Sequence, residues 1–505
     1  MRNLVPAICL ITGIAIQSYY SSVQAQNVGM GTLSPQARLH IKGANNVSQL
    51  LIDADTIQSN TNPLIRLRKE DGTDLMWIHA DHVSNLFIGL NAGRVNNPAT
   101  GINNTFLGGD AGFSNTTGYE NSAGGKSALY SNVSGADNTA FGYTALQDCT
   151  TGSFNTAFGS EALNNNSTGN SNTAVGYRSQ FNGSGNNNTS VGRVTLLFNA
   201  SGNYNTAVGD AALRVNSTGQ ENTAVGGQAM EDNTEGSSNT AIGYRAIQRN
   251  IGGDYNTATG FNALSQNTYG AGNMANGYEA LRNNTTGIQN TAVGNESLRN
   301  TPASTGNTAV GFLAGNMFNN GNYNTFVGTF ADATAISYTN STCVGGYTSI
   351  TSSNQVRIGS GVTSIGGPQN WTNTSDGRIK LNLRADVPGL SFINLLKPVT
   401  YTKSLALENE ITGRTTDQAL TTDNAYEKTR YSGFIAQEVE HAAQMIGYDF
   451  SGVDLPQNEK SLYGLRYAEF VVPLVKAVQE LSAENMELKR RIEKLEELMK
   501  ANTKE

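Results

Sequence analysis

The chain has 505 residues, a formal net charge of -7 and only 14% charged residues, and between Lys69 and Lys380 its single lysine is Lys126. So few cations leave no basic stripe of the kind that binds DNA or RNA. The four histidines, His40, His79, His82 and His441, lack metal-ligand spacing, and two mature cysteines cannot make a zinc site; the sequence calls for no cofactor and no metal.

Residues 1–25 read as an export signal: Arg2 supplies the cation, residues 4–16 the apolar run, and Val23-Gln24-Ala25 a small-x-small cleavage site before Gln26. The run is shorter than the roughly 20 residues needed to cross a bilayer and contains Pro6, and no later segment is apolar enough to cross one. A secreted or cell-surface protein is expected, with no integral membrane segment once the signal is removed. Cys9 leaves with the signal. Residues 26–90 carry short apolar runs, Arg38-Leu39-His40-Ile41, Leu50-Leu51-Ile52, Leu64-Ile65-Arg66-Leu67 and Leu86-Phe87-Ile88-Gly89, which predict short β-strands between polar turns. The opening from Val28-Gly29-Met30-Gly31 to Leu39-His40-Ile41 resembles segments of bacteriophage tail-fibre and adhesin-like proteins.

Residues 91–345 are a repeat array. An Asn-Thr-Ala-Val-Gly pentad or a variant begins at Asn104, Asn121, Asn138, Asn155, Asn172, Asn188, Asn205, Asn222, Asn239, Asn256, Asn273, Asn290, Asn307 and Asn324, and in degenerate form at Ser341. The step is 17 residues, with one step of 16 from Asn172 to Asn188. Between pentads come an Ala-Leu pair, as at Ala212-Leu213, and a polar Asn-Thr-Thr-Gly turn. A fixed period of this size predicts a mainly β chain built as a parallel β-solenoid or β-roll, in which stacked coils share one core. Strand alternation puts Thr and Val on one face and Asn and Ala on the other. The glycine allows a corner at positive φ or a close backbone approach, and stacked Asn side chains can bond along the ladder. At about 4.8 Å per coil, fifteen coils make a rod of roughly 70 Å. A coil so poor in large apolar residues suggests burial of a second face against another chain. Cys149 and Cys343 lie about eleven coils apart, too far for a disulfide, and read as small apolar residues of the array. Triplets such as Asn115-Thr116-Thr117 read as turn chemistry. The array resembles the heads of trimeric autotransporter adhesins and the shafts of phage tail fibres, which implies three chains side by side. It differs from adhesin heads in its longer period, and the chain lacks their C-terminal membrane barrel.

After residue 345 the period is lost. Residues 346–374 read as a β linker, and 375–470 as a small α+β domain. The junction Ser375-Asp376-Gly377-Arg378-Ile379-Lys380 is followed in order by Gly389-Leu390-Ser391-Phe392, Gly433-Phe434-Ile435-Ala436-Gln437-Glu438 and Tyr467. These motifs resemble the self-cleaving intramolecular chaperone domain that ends phage endosialidases and tail spikes. The resemblance implies a serine-lysine dyad, Ser375 and Lys380, acting once on its own chain as a serine endopeptidase, with Asp376 and Arg378 fixing the segment against the domain. The chemistry is intelligible in itself: a serine hydroxyl needs a base to become a nucleophile, and a lysine serves as that base only when neutral, a form that burial favours. From Ala468 onward the chain predicts one long helix, with 471–505 as a coiled-coil segment. Val478, Leu481, Asn485, Leu488, Ile492, Leu495 and Met499 keep the three-and-four spacing of a heptad seam. Seam chemistry by itself favours two strands, whereas the resemblance implies three.

The expectation is therefore an exported homotrimeric fibre or adhesin-like protein. Its C-terminal domain would align the chains, cleave beside Ser375 and be released. A surface glycan or protein receptor would be the partner of the shaft. The alternative is an uncleaved surface stalk that keeps the C-terminal domain as a cap.

Overall fold

The computed structural model describes residues 62–360, 372–413 and 425–503, together with Val28–Met30, Leu39–Ile41, Leu50, Ile52, Ile365 and Gly366. The export signal at 1–25 and parts of the linker lie outside the described residues.

The repeat array is a parallel β-solenoid. Each pentad supplies one three-residue strand, and successive strands pair in parallel with like residues opposite, as in Thr206↔Thr223, Ala207↔Ala224 and Val208↔Val225. The sheet runs one coil beyond the recognisable pentads at both ends, from Leu86–Ile88 to Val356–Ile358. At its N-terminal end the parallel ladder gives way to antiparallel pairing of Leu86–Ile88 with Asp74–His79, and of Asp74–His79 with Ile65–Arg68. Asp74–His79 is a strand that the apolar runs of the sequence do not mark.

The alternation predicts the faces correctly. Asn205, Ala207, Ala212 and Leu213 are fully buried, while Thr206 is half-buried and Val225 is exposed. One chain encloses this core because two columns of asparagine fill the space that larger apolar residues would occupy. In the first column, Oδ1 of Asn205 accepts the backbone N–H of Asn222 at 3.0 Å and its Nδ2 at 3.2 Å. The second column comes from the polar turn: Asn216 Nδ2 donates to Asn199 Oδ1 at 2.7 Å, and Asn233 Nδ2 to Asn216 Oδ1 at 2.8 Å. Both columns converge on one carbonyl per coil, since Gly219 O accepts from Asn205 Nδ2 and from Asn216 Nδ2. A buried amide is stabilising only when its donors and acceptors are met, and a strict repeat meets them coil after coil. Asn115 belongs to this second column: fully buried, it makes the local turn bond to Gly118 and also an inter-coil bond to Asn96.

The corners depend on unusual backbone. Gly209 has φ +138, and a Cβ there would sit 2.5 Å from Gly226 O in the next coil, so the pentad glycine serves both purposes foreseen for it. Each coil also holds non-glycine residues in the left-handed region, such as Leu213 (φ 49), Ala211 (φ 54) and Glu221 (φ 57). A left-handed L-residue costs roughly 1–2 kcal/mol; shared burial and inter-coil hydrogen bonds offset it here.

The hydrophobic core is divided. One cluster runs from Phe87 to Ala174 and a second from Leu196 to Ile350. Between them, in the 16-residue coil and its neighbour, stand Ser179, Gln180, Ser190 and Thr195, all fully buried. Ser179 donates to Ser190 O at 3.0 Å and Thr195 to Gly209 O at 2.6 Å, but neither polar end of the Gln180 amide has a partner. Cys149 and Cys343 are buried on opposite sides of this polar layer, and neither forms a disulfide.

The C-terminal region is a small α+β unit. Helices α1 (Leu390–Ile393), α2 (Leu405–Thr412), α3 (Ala425–Lys428) and α4 (Ala436–Met445) accompany two short antiparallel pairs, Val399–Tyr401 with Tyr431–Gly433 and Val453–Asp454 with Gly464–Leu465. Phe392, Val439, Ala442, Ala443, Phe450 and Phe470 form its core. Helix α5 (Val471–Asn502) follows as a single 32-residue helix.

Candidate functional site

Ser375 and Lys380 meet. A 3₁₀ turn at Gly377–Ile379 folds the segment back, capped by Asp376, whose side chain accepts the N–H of Arg378 at 2.9 Å. That turn places Lys380 Nζ 2.7 Å from Ser375 Oγ, the contact a base must make with the hydroxyl it activates. Asp376 and Arg378 do not reach the domain. Arg378 Nη2 closes on Asp376 Oδ2 at 2.5 Å, bracing the turn from outside, and this pairing holds the Asp376 carboxyl below its usual range.

The site is open. Ser375 and Lys380 are both exposed, and the flanking Ile379, Leu381 and Leu383 are 65%, 84% and 78% exposed. These three apolar side chains on a short segment, with none of the described residues over them, form an exposed surface beside the dyad. Nothing among the described residues removes Lys380 from water.

The downstream motif residues come together in one domain for steric reasons that can be stated. A Cβ on Gly389 would lie 2.4 Å from Glu480 Oε2, which accepts the N–H of Leu390 at 2.7 Å and so ties α1 to α5. A Cβ on Gly433 would lie 2.2 Å from the Tyr467 hydroxyl, which accepts the N–H of Phe434 at 3.1 Å. Phe434 in turn stacks on Phe470 with ring centroids 5.3 Å apart.

On α5 only Pro473 and Ala477 are buried, against the domain. Val478, Leu481, Leu488, Ile492, Leu495 and Met499 are each about half exposed or more, and Asn485 is exposed with them. Among the described residues nothing covers this apolar stripe along most of the helix. No helix among the described residues is long and apolar enough to cross a membrane, and no group of three or more His, Cys, Asp or Glu among them could hold a metal ion.

The shaft offers a further feature that motif reading does not reveal. Its outer face carries exposed side chains after the pentads, with Tyr244, Phe261 and Tyr278 stacked at centroid distances of 5.6 and 5.4 Å. Ion pairs also join neighbouring coils, Arg178 with Glu161 at 2.6 Å and Arg214 with Glu231 at 3.1 Å. The signal was present in the variable positions, where opposite charges stand 17 residues apart. No protein-family model matches the chain, and no curated protein matches it significantly.

Proposed function

We propose that the protein is an exported fibre whose solenoid is the shaft and whose C-terminal domain registers three chains and then cuts its own chain beside Ser375. The observation that carries this reading is the 2.7 Å contact of Lys380 Nζ with Ser375 Oγ. Attack by Oγ on the carbonyl carbon of Thr374 passes through a five-membered ring, whereas attack on the carbonyl of Ser375 itself needs a four-membered one, so the Thr374–Ser375 bond is the one cut. Oγ adds to the Thr374 carbonyl carbon as its proton passes to Lys380; the C–N bond then breaks and Lys380 gives that proton to the Ser375 nitrogen, leaving an ester and a free Ser375 amine. Water then hydrolyses the ester to a Thr374 carboxylate and restores the Ser375 hydroxyl. The intramolecular geometry supplies the effective concentration.

The lysine has to be neutral to accept the proton, and its exposure in one chain supplies the control. Packing three chains over Ile379, Leu381 and Leu383 would draw Lys380 out of water, so cleavage waits for assembly. The uncovered seam of α5 supports the same assembly. Near-identical coils give such an assembly a need for alignment, because solenoids lying side by side can pack out of step by a whole coil. The partners are then two further copies of the chain, and a surface glycan or protein is the proposed receptor of the shaft.

The exposure of Lys380 also favours a second reading, in which the C-terminal domain is a permanent cap. Denaturing gels of the exported protein and of Ser375→Ala and Lys380→Met separate the two. Two fragments from the wild type and one band from each variant are expected; an uncut wild type would establish the permanent cap.

A further inference from the structure

The C-terminal domain is seated on the last coils of the shaft by contacts that bypass the predicted cut. The loop of the Val453–Asp454/Gly464–Leu465 hairpin is shaped by its own bonds: Asn458 Oδ1 accepts the N–H of Lys460 at 2.9 Å, and Ser461 Oγ accepts the N–H of Asn458 at 3.0 Å. These leave the Asn458 amide pointing outward at the shaft. Its Nδ2 donates to the hydroxyl of Tyr338 at 2.9 Å and lies 3.3 Å from the carbonyl of Thr351. Tyr338 is itself buried in the shaft core, 8% exposed. A second bridge joins Arg357, on the final strand, to Glu408 of α2 at 3.7 Å, with both side chains largely screened. Residues 338–357 lie before Ser375 and residues 408–461 after it, so cutting the bond at Ser375 breaks neither bridge.

The geometry points to a domain that stays docked after it has been severed, which rests on the cleavage reading above. The cut would then convert an intramolecular contact into a complex between the shaft and its own former C-terminus, with Tyr338, Thr351 and Arg357 as the receiving surface. In a three-chain assembly the bridges recur three times, and simultaneous engagement multiplies their hold without any new contact.

The test is native size-exclusion chromatography of the exported protein, each peak being run on a denaturing gel. The cleaved wild type should elute as one peak containing both fragments. Asn458→Ala combined with Glu408→Arg should still be cut but lose co-elution, and adding Arg357→Glu to that pair should restore a measurable share of it. Cleaved wild-type fragments that elute apart would overturn the inference, as would co-elution unchanged in the double variant. If the wild type is never cut, the cleavage reading fails instead. Docking is then judged on a chain with a sequence-specific protease site inserted after Gly366, cut in vitro and run in the same way: co-elution of its halves upholds the docked arrangement, and separation overturns it.

Discussion

Replacing Gln180 by leucine should fuse the two halves of the shaft core. Gln180 stands between Leu163 and Leu196 in the column of buried residues that includes Leu146 and Leu213, and its amide is buried without a partner at either end. Removing an unsatisfied buried amide recovers about 1–3 kcal/mol. Burying a leucine side chain contributes about 1.5–3 kcal/mol, of which the stem of Gln180 already supplies a part. The net gain expected is about 2–4 kcal/mol. The two thiols allow each half to be followed separately, because Cys149 belongs to the cluster before the polar layer and Cys343 to the cluster after it. Burial pushes the Cys149 thiol up to about 11, so it reacts with a thiol reagent only when its coil opens. In the wild type, labelling of Cys149 and Cys343 along a denaturant series should give two distinct midpoints. In Gln180→Leu the midpoints should rise and draw together. Midpoints that stay where they were, or fall, would refute the view that this layer is a break in the core.

Cys149→Asn should stabilise the shaft by about 1–3 kcal/mol over Cys149→Ala, read from denaturant midpoints. Cys149 interrupts the second asparagine column, which leaves Asn132 Oδ1 buried without a donor, and an asparagine restores ladder bonds worth about 1 kcal/mol each. Burial pushes the carboxyl of Asp332 up to about 7, although it accepts the N–H of Met317 and of Ala333. The folded chain therefore holds a proton that the unfolded chain releases above about pH 4. The contribution is complete below that pH and is lost as pH rises towards 7, by at most about 4 kcal/mol; Asp332→Asn should flatten this slope in unfolding measurements from pH 4 to 8. Leu488→Asp together with Ile492→Asp should yield a chain that sediments as a monomer and stays uncut at Ser375. Efficient cutting in that monomer would separate the dyad from assembly.

The solenoid was legible because its period, its strand alternation and its glycine corners are all local statements about which way a side chain points. The long helix was legible for the same reason. Leu86–Ile88 was read as a strand and Val356–Ile358 fell in the β linker, but that both belong to the ladder was hidden by steps of a different size: Asn85 Oδ1 accepts the N–H of Asn104 across 19 residues, and Ser341 Oγ that of Gln355 across 14. The left-handed backbone at Leu213 was not readable, since Ala-Leu announces burial and says nothing of φ. The second asparagine column looked like ordinary turn chemistry until stacking made it a core. At the candidate site, the spacing of Ser375 and Lys380 allowed a contact, and the turn that creates it depends on Asp376 as a cap. The docking of Asn458 against Tyr338 spans 120 residues and leaves no trace in local pattern.

The bonding of the coils bears on how such a shaft changes over generations. Within the uninterrupted stretches, Asn222 touches Asn205 before it and Asn239 after it through the same two bonds, so a coil gained or lost there presents its neighbours with the surface they already meet. In-frame duplication or deletion of 51 nucleotides (17 codons) would then lengthen or shorten the rod by about 4.8 Å, with the N-terminal antiparallel strands and the C-terminal seat for Asn458 left intact. Reach becomes a heritable quantity adjustable in small equal increments, while the two ends stay under separate selection.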